Sequence, residues 1–468
     1  MKHWKSLMIT LLVVGLAACG GAAVPGGPHV PGEPPDGGDG GNGGDEAIAS
    51  SRFFLFTGDD VRNTADPTIE VDADGGVHVL LPANAVGDAF YAYCPADCAS
   101  QDAVSVAALP TVGTVINAML ALDATGRPHA LLSTYLRVYY ATCEGDCRYD
   151  DAWTVSPVLE HGGGFEVSGE AFALDPQGRP RFLMHAYRSL YPSGEPELAT
   201  YLVGCDAGCH DAGAWTRYLI DDTYSWTETT LRYTADGRAR VATALGLPWS
   251  DGFALAYFEC EAACEDGDSW VGADLGTAYA DPLVSQMFPA ISLALTAGGA
   301  PRLALLAANQ AEGGAPALVY LECETGCTGD AWEGSLLIGG AGAQELGAGL
   351  DLALDPVGRP RVAYVAASSV LLAYCDAGCT GAGDGWELTA VELAADIPAD
   401  EVIPYHNCTV AAWLLREPSL AIGPDGLPRV AYRADDVSAP GGPQDPTHPP
   451  CRAGADMKLA RFAQLASY

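Results

Sequence analysis

The chain has 468 residues, and its 60 acidic against 23 basic side chains give a formal net charge of −37. This charge repels nucleic-acid phosphates and anionic lipid surfaces, which excludes nucleic acid as a partner. A hydrophobic content of 49% excludes both a wholly disordered chain and a multi-span membrane protein. The 15 cysteines indicate an oxidising compartment unless they bind metal.

Residues 1–18 have the pattern of a signal peptide. A basic head at residues 2–5 precedes the apolar run 7–15, which is too short to span a bilayer permanently. The run leads into Leu-Ala-Ala-Cys at residues 16–19, which resembles the lipobox of bacterial lipoproteins. The resemblance implies cleavage before Cys19 and attachment there of two or three acyl chains, palmitate among them, enough for stable anchoring. Gly20 then favours the outer membrane or the cell surface; an ordinary secretory signal with a chance cysteine is the alternative.

A tether is predicted between the lipid and the rest of the chain. Residues 19–50 consist largely of Gly, Pro and Asp, a composition that builds no core and gives a flexible, partly extended segment. We therefore expect the membrane to be contacted through the lipid alone, and residues 51–468 to form the folded part.

One phrase recurs seven times in the folded part. Its fullest form is Leu-Asp-Pro-Val-Gly-Arg-Pro-Arg-Val-Ala-Tyr at residues 354–364. Its turn glycine aligns, at steps of 51 to 68 residues, with a glycine in every copy: Gly75, Gly126, Gly178, Gly237, Gly299, Gly358 and Gly426. The variable step indicates a fixed unit with loops of changing length.

Each copy predicts four strands. In the sixth copy they fall at residues 350–354, 361–366, 370–374 and 386–391, and no sustained helical period follows residue 50. Four strands per unit of this size are typical of a propeller blade; a parallel β-helix would repeat every ~20–30 residues, and β-sandwiches would need about three separate domains. The sequence therefore predicts an all-β, seven-bladed β-propeller of four-stranded antiparallel blades.

The two ends of this region predict how the ring closes. The seventh copy stops after its third strand, at residues 457–463, and residues 52–57 precede the first copy without a unit of their own. We predict that residues 52–57 supply the outer strand of the seventh blade, which removes an open seam.

Twelve cysteines form six Cys-x₃-Cys pairs, each directly after the third strand of a copy. The pairs are Cys94 with Cys98, Cys143 with Cys147, Cys205 with Cys209, Cys260 with Cys264, Cys323 with Cys327, and Cys375 with Cys379. In an exported protein they predict short disulfides within each blade. In five copies a tryptophan follows, which we expect to open the fourth strand and to pack between neighbouring blades: Trp153, Trp215, Trp270, Trp332 and Trp386.

Metal is the alternative use of these cysteines. Zinc needs four ligands that converge on one point, whereas each pair offers two on a different blade. An acidic residue between paired cysteines suggests calcium in four copies: Asp206, Glu261, Glu324 and Asp376. No segment carries the regular oxygen-ligand spacing of a calcium loop, so we expect no metal and no cofactor.

Cys408 and Cys451 remain. They lie in two long loops of the sixth and seventh copies that a propeller places on the same face. We predict that they form one long-range disulfide.

Residues 51–468 resemble the repeat propellers of secreted bacterial proteins, chiefly through the phrase at residues 354–364. They are loosely similar to sialidase-type propellers, whose Asp-box (Ser-x-Asp-x-Gly-x-x-Trp) occupies the turn where this chain has Cys-x₃-Cys and a tryptophan, as at residues 260–270. The Asp-box itself is absent, so the resemblance implies the architecture without sialidase chemistry.

A basic residue recurs at the start of the second strand of every copy: His78, His129, Arg181, Arg240, Arg302, Arg361 and Arg429. A ring of cations could hold an anionic sugar; the interpretation we favour is that each residue pairs with a nearby acid. No pair of acids can be nominated as glycosidase carboxylates, and no Gly-x-Ser-x-Gly, His-Glu-x-x-His or phosphate loop is present. The sequence thus predicts no catalytic residue.

Loops that join the second to the third strand, and the fourth strand to the next copy, vary in length and share one face, where binding usually resides. Aromatic residues in them either bind a sugar or protein partner or pack within the loops: Tyr187, Tyr191, Tyr224, Trp226, Tyr279, Phe288, Tyr405 and Trp413. We expect a monomeric, non-enzymatic binding or scaffolding module for a protein or glycan ligand whose binding residues stay unknown. A degenerate carbohydrate-active enzyme, sialidase-like or polysaccharide-lyase-like, is the alternative.

Overall fold

The computed structural model of the chain describes residues 50–56, 63–83, 87–111, 113–160, 166–188, 197–246, 253–277, 280–281, 286–287, 290–309, 315–339, 345–381, 385–398, 401–402, 408–440, 457–466 and 468. The predicted signal peptide, Cys19 and nearly all of the tether lie outside these residues. Within these ranges, no helix has the length and hydrophobicity that crossing a bilayer requires.

Seven four-stranded antiparallel sheets stand in a ring, which confirms the predicted propeller. Strand β1 is Ser51–Phe54. Blade 1 contains β2 Thr68–Val71, β3 Val77–Ala83, β4 Asp88–Cys94 and β5 Ser105–Leu109; blade 2 contains β6 Asn117–Leu122, β7 Pro128–Ser133, β8 Arg137–Cys143 and β9 Trp153–Glu160. Blade 3 contains β10 Glu166–Leu174, β11 Pro180–Arg188, β12 Glu197–Cys205 and β13 Trp215–Asp221; blade 4 contains β14 Ser225–Tyr233, β15 Ala239–Gly246, β16 Phe253–Cys260 and β17 Trp270–Thr277.

The remaining strands continue this order. A two-stranded pair, β18 Ala280–Asp281 and β19 Gln286–Met287, precedes blade 5, which contains β20 Ile291–Leu295, β21 Pro301–Asn309, β22 Ala315–Glu322 and β23 Glu333–Ile338. Blade 6 contains β24 Leu346–Leu354, β25 Pro360–Ala366, β26 Ser369–Cys375 and β27 Trp386–Glu392; blade 7 contains β28 Cys408–Ile422, β29 Pro428–Pro440, β30 Lys458–Gln464 and β1. Single 3₁₀ turns lie at Gln101–Ala103, Asp150–Ala152, Ala212–Ala214, Gly267–Ser269 and Ala394–Asp396. Within each blade we call the strands a to d, from the axis outwards.

The first strand closes the ring. β1 pairs with β30 in the register Phe53 to Phe462, and these two rings lie 5.4 Å apart. The paired segment is Ser51–Phe54, shorter than the predicted 52–57, although the Leu55 N–H still donates to the Ala460 carbonyl at 3.0 Å. The prediction that the N-terminal segment supplies the outer strand of blade 7 is therefore confirmed.

The recurring phrase forms the turn between strands a and b. In blade 6, Asp355 Oδ1 accepts the backbone N–H groups of Val357 and Arg359 at 3.0 and 2.8 Å. Gly358 has φ +86°, a left-handed conformation that favours glycine. The conformation of the glycine recurs in all seven copies, where every aligned turn glycine has positive φ.

Aromatic contacts join neighbouring blades. In four blades a tyrosine three residues before the first paired cysteine contacts the tryptophan of the next blade, at ring distances of 4.8 to 5.4 Å: Tyr91–Trp153, Tyr140–Trp215, Tyr257–Trp332 and Tyr320–Trp386. Each of the five tryptophans donates its indole N–H to the carbonyl of the second cysteine of its own blade, at 2.8 to 3.0 Å. The hydrophobic core therefore lies between blades, as predicted for the tryptophans.

All six predicted local disulfides are present, one in each of blades 1 to 6. The bonds join Cys94 to Cys98, Cys143 to Cys147, Cys205 to Cys209, Cys260 to Cys264, Cys323 to Cys327, and Cys375 to Cys379. Their Cα atoms lie 5.5 to 5.7 Å apart, the ordinary separation for a disulfide, so every one of these twelve cysteines has the structural role predicted for it.

Only one cysteine of the predicted long-range disulfide lies among the described residues. Cys408 is buried and disulfide-bonded. Cys451 lies outside the described residues, so its pairing with Cys408 stays a prediction.

Between blades 6 and 7 a buried ion pair takes the place of the tyrosine–tryptophan contact. The guanidinium of Arg461, on β30, donates two hydrogen bonds to Glu392, at 2.6 and 2.7 Å, and a third to Glu401 at 2.9 Å. Arg461 and Glu392 are 1% and 4% exposed, so this ion pair is inside the protein. The Phe54 ring of the closing strand lies 4.2 Å from the Arg461 guanidinium, which ties β1 to the same cluster.

Candidate binding site on the propeller axis

The predicted row of basic residues is paired with acids in every blade. Arg361 contacts Asp376 at 2.7 Å and Asp355 at 3.2 Å, and its guanidinium also donates to the Cys375 carbonyl at 2.9 Å. The equivalent pairs are His78–Asp72, His129–Asp123, Arg181–Asp206, Arg240–Glu261, Arg302–Glu324 and Arg429–Asp425. Arg181 and Arg361 connect the a–b turn to the disulfide loop, and the other residues of the row pair with an acid of one of these two segments, so the row forms no open ring of cations.

The same contacts account for the acids considered as calcium ligands. Asp206, Glu261, Glu324 and Asp376 each pair with the arginine of their own blade. Across the described ranges, no group of three or more His, Cys, Asp or Glu residues is placed to hold a metal ion.

The aromatic residues of the variable loops divide into two groups. Trp226 and Trp413 are 2% and 4% exposed: Trp226 stacks on Phe258 at 4.5 Å and Trp413 contacts Phe54 at 5.2 Å. These two are core residues and not part of a surface site. Tyr187 and Tyr224 are partly exposed, whereas Tyr191, Tyr279, Phe288 and Tyr405 lie outside the described residues.

The inner strands break the repeat at the position five residues before each turn glycine. Five blades carry alanine there: Ala121, Ala173, Ala294, Ala353 and Ala421. Blade 1 carries Glu70 and blade 4 carries Arg232. Ala121 and Ala353 are partly exposed, and Ala173, Ala294 and Ala421 are 8 to 9% exposed.

Two positions earlier, small polar side chains form a belt that joins neighbouring inner strands. Ser292 accepts the N–H of Leu352 at 3.1 Å, and Ser419 accepts the N–H of Ile69 at 3.3 Å. Blade 6 carries Asp351 in this belt, where it accepts the Leu420 N–H at 2.8 Å, the Ser292 hydroxyl at 2.7 Å and its neighbour's N–H at 2.9 Å. The unpaired edges of the inner strands are thus partly satisfied by side chains.

Glu70, Arg232 and Asp351 act on one another across the axis. They belong to blades 1, 4 and 6, no two of which are adjacent, yet Arg232 lowers and Asp351 raises the pKa of Glu70. Burial is the largest influence and raises the Glu70 pKa to about 7. Burial also raises the pKa of Asp351, against the hydrogen bonds that lower it. Within the described part of the chain, the side chain of Glu70 makes no hydrogen bond and the side chain of Arg232 donates only to the Leu231 carbonyl.

A second charged cluster lies nearer the variable-loop face, at the position nine residues before the turn glycine. Inner strands bulge there in four blades, and Glu417 in blade 7 has φ +49°, a strained conformation for a residue other than glycine. Gly349 holds the equivalent place in blade 6 with φ +95°, and a Cβ on it would lie 2.6 Å from Glu417 Cα. The bulges thus bring two inner strands unusually close.

The charged side chains around Glu417 differ in their surroundings. Burial, followed by the carboxylate of Asp66, raises the Glu417 pKa to about 7. Asp66 is paired with Arg433 at 2.7 Å, and its side chain is 59% exposed at the mouth of the axis. The pKa of Asp66 is raised as well, chiefly by partial burial of the carboxyl group, which outweighs the lowering effect of the Arg433 guanidinium. Beside this cluster a cleft of about 240 Å³ opens between blades 6 and 7, lined in part by Glu345, Ser368 and Arg416.

Sequence reasoning missed these axial residues. The signal was available, because aligning the seven copies on the turn glycine places Glu70 and Arg232 in a column of alanines. The alignment does not show that this column faces the axis, where charged residues of non-adjacent blades come close to one another.

Comparison with known proteins finds distant structural likenesses and no sequence relative. No protein-family model matches the chain, and neither does any curated protein. Among solved structures, the chain is similar to a protein of unknown function from Dyadobacter fermentans DSM 18053, with 11% identity over 89% of this chain and 98% of the other and a TM-score of 0.43. It is also similar to a polysaccharide lyase (10% identity, 88% and 91% covered, TM-score 0.47) and to NanB sialidase from Streptococcus pneumoniae (9%, 88% and 70%, 0.41). All three TM-scores are below 0.5, so these likenesses carry no argument about architecture or activity.

Proposed function

We propose that the chain is a lipid-anchored, non-enzymatic β-propeller of the outer membrane or cell surface that binds a ligand at the axial end of its variable-loop face. The observation that carries the proposal is the contrast between two sets of charges. Residues of the repeated row are all paired within their blades, whereas Glu70 and Arg232 replace the alanine of the other blades at the axis and Glu417 lies at a bulge beside them. Departures from symmetry on a rigid scaffold are where function usually resides.

Anchoring is tested on the full chain in a bacterial host. Cys19→Ala is expected to abolish acylation and to move the protein from the detergent phase to the aqueous phase on phase partition, because the lipid is the proposed membrane contact. Ala22→Ser, three residues further along the tether, is the matched control and should leave both unchanged. An unmodified N-terminal peptide in the mass spectrum of the wild-type chain would contradict the proposal.

Binding is tested with the detergent-solubilised full chain on a glycan array, with a hydrolase and lyase screen in parallel. We expect a retained glycan that is not cleaved, and Glu417→Gln is expected to weaken retention by about tenfold, which corresponds to one lost charged contact. Glu333→Gln, an exposed change on β23, serves as the control. Retention that is equal in both variants would show that the mouth of the axis is not the site.

A carbohydrate-active enzyme is the second candidate, because Asp66 and Glu417 have the properties of an acid–base pair. Burial raises the pKa of both carboxyl groups, that of Glu417 to about 7, and the charge of Asp66 adds to the shift of Glu417. A carboxyl group of raised pKa beside a second carboxyl group is what a general acid in a glycosidase site requires. Cleavage of any glycan by the wild-type chain, lost in Glu417→Gln, would replace the binding proposal with this one.

A further inference from the structure

The cleft between blades 6 and 7 opens at a step in the variable-loop face. In blade 6 only residues 367–368 separate strands b and c, the shortest such connection in the ring. Blade 7 beside it has the two longest strands of the described residues, 15 residues in β28 and 13 in β29. The first half of β28 therefore extends past the short turn of blade 6, and the cleft of about 240 Å³ lies between them.

This short turn has a strained backbone. Ala367 and Ser368 have φ +49° and +61°, and Glu417 at the adjoining bulge has φ +49°. They are three of the five residues other than glycine with positive φ in the described part of the chain.

Contacts from both blades fix the turn in this conformation. Ala367 donates its N–H to the Glu345 carbonyl at 2.8 Å, within blade 6. The Ser368 carbonyl accepts the Leu415 N–H of blade 7 at 2.9 Å. Strained residues that their surroundings hold in place cluster at ligand clamps, so the concentration of strain here indicates a binding function for the cleft.

The walls of the cleft combine polar groups of both charges with apolar surface. Blade 6 contributes Glu345, which is exposed, and Ser368, which is partly exposed. Blade 7 contributes Leu414 and the partly exposed Arg416. Arg416 Nε lies 3.3 Å from Asp435, and a guanidinium has four further N–H donors.

These groups select the class of ligand. A sugar hydroxyl both donates and accepts, so it can hydrogen-bond to a carboxylate, a guanidinium or another hydroxyl. One carboxylate and one guanidinium line the cleft, so neither sign of charge is favoured there, and the net charge of −37 disfavours an anion. The cleft is smaller than the roughly 300–1,000 Å³ of sites for drug-sized ligands, which limits the occupant to about one ring.

We propose that this cleft binds one neutral sugar unit of a glycan. Its hydroxyls contact Glu345, Ser368 and Arg416, and its C–H face packs on Leu414. This inference rests on the proposed binding function and names the sugar class and the subsite beside Glu417.

The experiment is titration of the full chain by ligand-observed NMR, in a detergent without a sugar headgroup. The probes are glucose, galactose and mannose, each compared with its uronate and its 2-amino sugar. We expect at least one neutral hexose to bind, and its two charged counterparts to bind no more tightly.

Two variants test the cleft, each with a matched control. Glu345→Gln and Ser368→Gly each remove one polar contact and are expected to weaken binding of the hexose by about fivefold. Ser368→Gly is expected to fold, because glycine accepts φ +61° without strain. The controls are Glu333→Gln, an exposed acid on β23, and Ala263→Gly, which relieves the same kind of strain at φ +54° in the disulfide loop of blade 4. Both controls should leave binding unchanged.

Three results would overturn the inference: no binding by any neutral hexose, tighter binding of a charged counterpart, or binding that Glu345→Gln and Ser368→Gly leave unchanged. Failure of the proposed function is distinguishable from these results. A glycan that is retained on the array and lost in Glu417→Gln, but unaffected in the two cleft variants, overturns the cleft alone, whereas retention of no glycan overturns the proposed function.

Discussion

At the scale of single residues, Glu70 makes stability depend on pH. Its folded pKa of about 7 lies above the ordinary value of 4.5, so the folded state holds more protons than the unfolded state between these values. Stability is therefore lost as the pH rises through this range, and the ionised carboxylate costs about 3 kcal/mol above it.

We predict that Glu70→Gln raises the free energy of unfolding by up to about 3 kcal/mol at pH 8 and changes it little at pH 4.5, since the amide carries no charge to bury. Urea denaturation at the two pH values measures the difference. Glu333→Gln, on an exposed part of β23, should have no effect at either pH. A gain of equal size at both pH values would show that ionisation of Glu70 is not its cause.

At the scale of elements, the pair formed by Arg461 and Glu392 holds β30 against blade 6. Removal of one partner leaves the other as an uncompensated charge inside the protein, so Arg461→Met is predicted to cost about 3–5 kcal/mol. The double variant Arg461→Met with Glu392→Gln should recover most of this loss, because both charges are then gone.

The matched control is the exposed pair formed by Arg137 and Glu160, whose side chains are 38% and 63% exposed. Arg137→Met is expected to leave the free energy of unfolding nearly unchanged, since water screens the pair. Denaturant unfolding of the four proteins makes the comparison. Equal losses for Arg461→Met and Arg137→Met would contradict the role assigned to the buried pair.

At the scale of the whole molecule, ring closure depends on a segment of a few residues. Phe53, Phe54 and Leu55 are 7%, 1% and 2% exposed, and burial of three such side chains contributes about 6 kcal/mol, comparable with the stability of an ordinary domain. We predict that a chain that begins at residue 57 unfolds without a sharp transition and associates through the open edge of β30. A chain that begins at residue 50 should match the full chain in thermal denaturation and size-exclusion chromatography. Equal melting temperatures for the two truncations would contradict the closure argument.

The fold was predicted accurately because the sequence of the propeller consists of seven repeated units, one for each blade. The turn phrase, the paired cysteines and the tryptophans each recur with the same local contacts, so blade number and strand order followed from counting. The basic row was also predictable as structural, since Arg361 and its equivalents contact acids in the same blade.

The axial site was not predictable in the same way. Glu70 and Arg232 are separated by more than two blades along the chain, and only the ring brings their charges within reach of each other. The strained backbone at Glu417 depends on a β-bulge, and no residue type in the sequence identifies a bulge. The equivalent position is Gly169 in blade 3 and Gly349 in blade 6. The buried state of Trp226 and Trp413 likewise depends on packing that loop composition does not reveal.

The closing strand imposes an order of events during biogenesis. Contacts of the N-terminal segment with the last blade join positions as far apart as Ser50 and Ala466, 416 residues along the chain, so the first strand cannot pair until the last blade has been synthesised. The six short disulfides, by contrast, join cysteines four positions apart and can form as soon as each blade has been delivered. Oxidation can thus run blade by blade, whereas the final assembly step is slow because it brings together the two most distant parts of the polypeptide.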